Sequence, residues 1–152
     1  MIDITFIEKE EGLKLRLYDD ATGRPIEYGI SVKGNPTIGY GHKVIPGESF
    51  PDMITKEHAE QILHQDIAKA IAHVREHITV SLNDNQLTAL VSLVFNCGQA
   101  PLSQTIGHLL QARMFKEAAD FFLHWDRFHN RENAGLKARR MRERDLFLTP
   151  VK

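Results

Sequence analysis

Residues 11–20 are EGLKLRLYDD, and this stretch decides the fold expected for the first third of the chain. Ahead of it, the segment from Thr5 to Glu11 fits one or two helical turns, and Gly12 stands where a left-handed residue commonly ends a helix. Within it, leucines alternate with polar residues over 13–18, a period of two that is typical of a half-buried strand. The pattern therefore predicts a short helix ending at Glu11, a strand, and a turn over 19–23.

On the C-terminal side, glycines and prolines interrupt short β-branched and aromatic pieces between Ile26 and Ile45. This punctuation predicts a small antiparallel sheet with hairpin turns. After Pro51 the apolar residues recur at steps of three and four. With Thr55 as N-cap, they predict one amphipathic helix from Lys56 to about His77, about 30 Å long.

Further helical segments follow. Asn83 and Gln86 form a capping-box pattern ahead of an apolar helix that Gly98 ends. Three more helices are expected, over 101–112, 115–125 and 136–148, with a polar stretch at 129–135 before the last. The layout is α+β: a small sheet-containing N-terminal lobe (about 1–55), joined by the long helix to a helical lobe (about 56–152). Together they form one domain.

Composition limits the functions to consider. The 152 residues carry 19 Lys and Arg against 20 Asp and Glu, a net charge of −1, so no overall positive field favours nucleic acid. Cys97 is the one cysteine, which excludes an intramolecular disulfide. The most apolar window, 87–97, is too short for an integral membrane segment. The first five residues do not have the pattern of a secretory signal, and nothing in the sequence indicates an oligomer, so we expect a cytoplasmic monomer.

Two acidic residues in the deciding stretch suggest a chemistry. Glu11 stands at a helix C-terminus, where the dipole disfavours a carboxylate and favours the protonated acid. Asp20 lies in a solvated turn, where an ionised carboxylate is well hydrated. A neutral donor and an anion that activates water are the pair that acid–base cleavage of a glycosidic bond needs. On spacing alone the pair also fits ordinary surface charge.

Several motifs, in order, narrow the choice. Residues 11–20 and the later PTIGYGH at 36–42 closely resemble the active-site signature of the phage-type lysozymes, or endolysins, Glu-Gly-x-x-Leu-x-x-Tyr-x-Asp followed by Thr-Ile-Gly-x-Gly-His. VFNCG at 94–98 and the segment from Gly135 to Phe147 are similar to later parts of that family. The resemblance extends over roughly residues 4–149, and independent motifs in the right order seldom arise by chance.

The resemblance implies a lysozyme-like fold and a cofactor-free, metal-independent muramidase. Glu11 would be the general acid, Asp20 the second carboxylate and Thr37 the hydroxyl that helps to hold the attacking water, with Arg139 supporting Glu11. The substrate would be the peptidoglycan glycan strand, cut at the β-1,4 bond between N-acetylmuramic acid and N-acetylglucosamine. Direct attack by water would invert the anomeric centre and require carboxyl groups ~6.5–9.5 Å apart, against ~5–5.5 Å for a covalent intermediate. The resemblance also implies residence in the host cytoplasm until a holin pore releases the enzyme to the wall.

The sequence departs from the family pattern between Asp20 and Thr37. Sixteen residues intervene, and residues 24–35 are extra relative to the short family members. We interpret them as a lengthened hairpin that returns Thr37 to the site through antiparallel pairing. Two rivals stay open: Thr22 for Thr37, since it is closer to Asp20, and Asp19 for Asp20, although it shares the face of the leucines.

Three other functions remain alternatives. A lytic transglycosylase would act on the same bond and leave an anhydro-sugar. A zinc peptidase is suggested by HVREH at 73–77, in which two histidines one helical turn apart could share a metal. A non-catalytic protein that binds the wall or disturbs membranes could use the basic last helix, which carries Lys137, Arg139, Arg140, Arg142 and Arg144 and is otherwise expected to be solvated.

Overall fold

The computed structural model of the protein describes residues 1–128 and 130–152. Contacts within the chain divide it into two compact units, one formed by Glu8–Asp66 and the other by Met1–Ile7 together with Ile67–Lys152. No helix in the described ranges carries an apolar run long enough to cross a membrane.

The unit Glu8–Asp66 contains the end of helix α1 (Ile4–Glu11) and the strands β1 (Lys14–Asp19), β2 (Pro36–Gly39) and β3 (His42–Lys43). Helix α2 (Lys56–His77) begins in this unit. Helix α1 ends as the sequence predicts, because Gly12 takes a φ of 66° and its N–H donates to the carbonyl oxygen of Glu8 at 2.9 Å.

The sheet has the order β1-β2-β3 and is antiparallel throughout. Tyr18 pairs with Thr37 and Asp19 with Pro36, so the end of β1 lies beside the start of β2. Residues 39–41 turn the chain from β2 into β3, and Gly39 and Gly41 take φ values of 69° and 70° there. The sheet places the two sequence motifs, 11–20 and 36–42, on adjacent strands.

The lengthened hairpin differs from its prediction. Among the described residues between 20 and 35, Pro25 makes an isolated bridge to Tyr18, and none belongs to a strand. The N–H groups of Lys33 and Gly34 donate to the side chain of Asp19 instead of to a neighbouring strand. The segment is therefore a long loop, and it is the direct pairing of β1 with β2 that brings Thr37 back.

The core of this unit lies between the sheet and the start of α2. Ile38, Ile54, Ala59 and Leu63 are buried. A Cβ built on Gly39 would lie 3.5 Å from the Cβ of Ala59, so the strand packs closely on the helix. Helix α2 has the predicted bounds, and the Thr55 hydroxyl accepts from the N–H of His58 as the expected N-cap.

The second unit contains the rest of α2 and the remaining helices. They are α3 (Asp84–Cys97), α4 (Ala100–Ser103), α5 (Thr105–Gln111), α6 (Phe115–Phe121) and α7 (Ala134–Leu148), with a turn of 3-10 helix at Phe122–His124. Helix α3 packs on α7, and the rings of Phe122 and Phe147 meet edge to face at 5.6 Å between centroids. The buried apolar side chains of these elements form the core of the unit.

Several local predictions for this unit are confirmed and others are wrong. Asn83 and Gln86 make both halves of the capping box, and Gly98 ends α3. The helix expected over 101–112 is two short helices. The polar stretch contains a small antiparallel pairing of β4 (Arg127–Phe128) with β5 (Arg131–Glu132), although His129 is outside the described residues. Helix α7 starts two residues earlier than expected because Asn133 caps it.

Candidate active site

Glu11 is the last residue of α1 and lies beside the turn between β2 and β3. A Cβ built on Gly41 would lie 3.1 Å from the Cδ of Glu11 and closer still to Oε2. Glycine is the residue that allows this approach, and Gly41 also takes the left-handed φ that glycine favours. The helix end therefore presents the Glu11 carboxyl group to the backbone of the sheet.

Tyr18 links the two carboxyl groups of the first motif. Its side chain is half-buried on β1, and burial raises the pKa of the phenol above its usual value. The negative charges of Glu11 and then of Asp20 raise this pKa further. Both carboxylates therefore act electrostatically on the same phenol.

Asp20 is held by Asn35 from the other end of the long loop. The backbone N–H of Asn35 donates to Oδ1 of Asp20 at 2.7 Å, and its side-chain amide donates to Oδ2 at 3.1 Å. The N–H of Asp20 in turn donates to the carbonyl oxygen of Asn35 at 3.2 Å. These bonds fix both carboxylate oxygens.

Thr37 reaches the same place through β2. Thr37 is only 2% exposed, and its hydroxyl donates to the carbonyl oxygen of Asn35 at 2.9 Å. Since paired residues of adjacent strands put their side chains on one face of a sheet, Thr37 shares a face with its partner Tyr18. The unit thus joins Asp20 and Thr37 through Asn35, and Glu11 of the same unit acts electrostatically on Tyr18, despite the separation of these residues along the chain.

The two rivals have other contacts. Asp19 is 5% exposed and accepts from the N–H groups of Lys33, Gly34 and Ala21 at 2.7, 2.9 and 2.9 Å. The hydrogen bond from Lys33 is the largest of the effects that lower the pKa of Asp19, against an opposing effect of burial. Thr22 is exposed, and its hydroxyl accepts from the N–H of Arg24 at 3.2 Å. Both rivals hold the shape of the long loop.

Arg139 lies in the second unit, where it joins a buried polar cluster. Its Nη2 donates to the carbonyl oxygen and hydroxyl of Ser92, both at 3.2 Å, and its Nε pairs with Glu143 at 3.2 Å. Arg140, fully buried, pairs with Glu143 at 2.6 Å. A wholly solvated basic helix is therefore wrong for these two arginines. That Arg139 supports Glu11 stays a prediction.

The two histidines of the zinc-protease pattern make local contacts on α2. The Nδ1 of His77 donates to the carbonyl oxygen of His73 at 2.9 Å, and His73 lies 3.9 Å from Glu76. Over residues 1–128 and 130–152, no three His, Cys, Asp or Glu side chains gather in a way that could hold a metal ion. The geometry gives the zinc peptidase no support.

A family model described as "Phage lysozyme" matches this sequence over residues 8–143. The chain belongs to the phage lysozyme family. The endolysin of Salmonella phage P22 is 34% identical over 150 residues, which cover 96% of this chain and 94% of that protein. Family membership makes this phage lysozyme a lysozyme-type enzyme of cell-wall degradation.

Solved structures agree with the fold of this phage lysozyme. A crystal structure of a P22 lysozyme mutant has a TM-score of 0.77 at 33% identity and covers 98% of this chain and 99% of its own. The muramidase domain of SpmX from Asticaccaulis excentricus has a TM-score of 0.78 at 27% identity, with 97% and 95% coverage. The predicted α+β, lysozyme-like class is confirmed.

Sequence reasoning assigned no role to Asn35 or to Gly41. Gly41 is part of the second motif, and a glycine at that place in the motif could have indicated a close backbone approach. Asn35 gave no signal of its own, because its contacts with Asp20 and Thr37 exist only once β1 and β2 have paired and the loop has closed.

Proposed function

We propose that this phage lysozyme hydrolyses the β-1,4 bond between N-acetylmuramic acid and N-acetylglucosamine, acting as a single catalytic domain. The observation that carries the proposal is the joining of Asp20 to Thr37 through Asn35, in the same unit as the Glu11 carboxyl group that lies against the turn from β2 to β3. Two carboxyl groups and a hydroxyl are the groups that this reaction needs.

Each residue has a role in the proposed step. Protonated Glu11 donates its proton to the glycosidic oxygen as the bond to the anomeric carbon breaks. Asp20 accepts a proton from water as the water oxygen attacks that carbon, and Thr37 helps to orient the water. The water adds across the bond, so one reducing end and one free 4-hydroxyl form without a cofactor or metal. Direct attack makes the proposed reaction inverting, and Arg139 is the proposed support of Glu11.

The test is the turnover of purified peptidoglycan by the wild-type protein and by Glu11→Gln, which keeps the shape of the side chain and removes the transferable proton. We expect kcat to fall by at least about 10²-fold, the lower range of general acid catalysis. Glu57→Gln, the same change at an exposed position of α2, is the control and should leave kcat unchanged. Full activity in Glu11→Gln would contradict the proposed role of Glu11. Clearing of whole cells without release of reducing sugar from purified peptidoglycan would favour a non-catalytic wall-binding or membrane-active protein.

The products identify the reaction. Mass spectrometry of the released fragments should show reducing sugars, and NMR of the fresh product should show inversion at the anomeric carbon. Anhydro-muramic ends would indicate a lytic transglycosylase instead. Release of new free amino groups that a chelator prevents would indicate the zinc peptidase.

The proposal extends to the protein's place in lysis. A monomer in the host cytoplasm would reach the wall through a holin pore. Expression in a bacterial cytoplasm should then be harmless until the membrane is permeabilised. Lysis without permeabilisation would contradict the need for a pore, and sedimentation as a dimer would contradict the monomer.

A further inference from the structure

Asn35 is the residue through which two of the proposed catalytic side chains are joined. It contacts Asp20 with two donors and Thr37 with its carbonyl oxygen, at 2.7, 3.1 and 2.9 Å. All three contacts are directed hydrogen bonds of ordinary length rather than loose packing contacts.

We infer that Asn35 is a positioning residue that fixes the Asp20 carboxylate and the Thr37 hydroxyl relative to each other. This inference rests on the proposed function. It assigns to Asn35 no contact with the glycan strand. Its effect is on where the base and the hydroxyl hold the attacking water.

The side chain of Asn35 supplies something that the backbone does not. Any residue other than proline at position 35 offers an N–H to Oδ1 of Asp20 and a carbonyl oxygen to Thr37. Only a side-chain donor reaches Oδ2, and two donors on two oxygens fix the plane of a carboxylate as well as its place. Reactions of this kind are sensitive to misplacement of about 1 Å, so a freed carboxylate should slow the chemical step.

The end of the long loop is built to hold Asn35 in place. A Cβ on the preceding Gly34 would overlap Oδ1 of Asp20 and crowd Ala21, so this backbone passes as close to Asp20 as a glycine allows. Asp19 accepts from the N–H groups of Gly34 and Lys33 and anchors the same two residues. Asn35 therefore approaches Asp20 from a backbone that is tied down on its N-terminal side, and β2 begins immediately after it.

The experiment compares three variants on purified peptidoglycan. Asn35→Ala removes the side-chain donor, and Asn35→Asp keeps its shape. Asn85→Ala is the matched control, because the Asn85 amide donates to the carbonyl oxygen of Thr149 at 2.9 Å in the second unit. For Asn35→Ala we expect kcat to fall on the order of tenfold with KM within about twofold, since Asp20 loses its alignment for the chemical step while the contacts that bind the glycan are kept. Asn85→Ala should lower only the melting temperature.

Asn35→Asp gives a readout that a merely structural role would not move. It puts a second carboxylate at hydrogen-bond distance from Asp20, and two such groups share a proton rather than ionise together. The acid limb of the kcat–pH profile should then move to higher pH, with kcat recovering partly at alkaline pH. The neighbouring ionisable groups include Tyr18, Glu11, Asp19 and Lys33, and neither variant changes them.

Three results would overturn the inference. They are a kcat for Asn35→Ala within twofold of wild type, an equal loss of kcat in Asn85→Ala, or an acid limb of Asn35→Asp at the wild-type pH. Failure of the proposed function looks different, because the wild-type protein itself would then release no reducing sugar.

Discussion

The backbone of Gly41 lies directly against the carboxyl group of Glu11, with no room for a side chain between them. The turn from β2 to β3 thus forms one wall of the position that Glu11 occupies. The placement of the proposed acid depends on a residue thirty positions later in the chain.

Gly41→Ala should therefore lose activity as well as stability. The new Cβ would displace the Glu11 carboxyl group, and a left-handed φ costs a residue other than glycine about 1–2 kcal/mol. Gly29→Ala is the control, because Gly29 also has a positive φ, of 86°, but has open space around it. Both variants should show a lower free energy of unfolding in urea, and only Gly41→Ala should lose kcat. Equal activity in the two would mean that Glu11 tolerates the displacement.

Asp19 and Asp20 should separate into a structural and a functional residue. Asp20→Asn should abolish peptidoglycan turnover and lower the melting temperature less than Asp19→Asn does, because the two bonds that Asp20 accepts from Asn35 are exposed and the Asn35 amide can turn its oxygen toward the new NH₂ group. Asp19→Asn should lower the melting temperature, because one of its three N–H donors then faces an amide NH₂ group instead of a carboxylate.

The pH dependence of stability tests the same assignment for Asp19. Its pKa is lowered in the folded protein from the ordinary 3.8, so its contribution to stability is present above about pH 3.8 and is lost as the pH falls through the lower, folded-state pKa. The loss of melting temperature on acidification should thus be smaller in Asp19→Asn than in wild type. If the melting temperatures of the two proteins fell by the same amount below pH 4, this assignment would be contradicted.

His42 should make stability depend on pH on the other side of neutrality. Its Nδ1 lies 2.6 Å from Asp66 and its Nε2 lies 2.9 Å from Glu48. The hydrogen bond to Asp66 is the main cause that raises the pKa of His42 above 6.5, and burial opposes it. Because the folded pKa is raised, the stabilisation is full below about pH 6.5 and is lost as the pH rises through the folded value.

NMR titration of the His42 ring measures this directly. The ring should titrate above pH 6.5 in wild type and at a lower pH in Asp66→Asn, which removes the main cause. The difference in melting temperature between the two proteins should be largest in mildly acidic buffer and shrink at alkaline pH. A wild-type ring that titrates below 6.5 would refute the ion-pair interpretation.

Glu143→Gln should be the most destabilising of these changes. The carboxylate is 0% exposed between Arg139 and Arg140, and the Ser92 hydroxyl donates to it. Removing one partner of a buried pair leaves unpaired charge and costs about 3–5 kcal/mol. Glu60→Gln, the same change in an exposed pair with Lys56, should cost at most about 0.5 kcal/mol. A similar loss in both urea titrations would show that the cluster relaxes or admits water.

Local signals in the sequence were sufficient where a structure depends on neighbours in the chain. The capping box of Asn83 and Gln86 and the left-handed end of α1 at Gly12 follow from residues within one helical turn. The two-residue strands β4 and β5 were missed because a pairing so short has no periodicity to detect.

The candidate site was only partly predictable for the same reason. Its acidic residues stand out by motif and helix position, whereas the return of Thr37 depends on a pairing between segments nearly twenty residues apart. The loop between them could not be deduced, because the Asp19 side chain takes the N–H groups that a hairpin would have used. The buried placement of Arg139 and Arg140 likewise depends on Ser92 and Glu143, which a charge count along α7 does not reveal.

The anchoring of the long loop at both ends leaves its middle free to change. Pro25 and the pair Lys33 and Gly34 are tied to β1, whereas Tyr28 and Ile30 between them project into solvent. Residues 27–32 therefore form a segment whose length and chemistry can be changed by design while the bonds at its two ends keep Asp19, Asp20 and Asn35 in place.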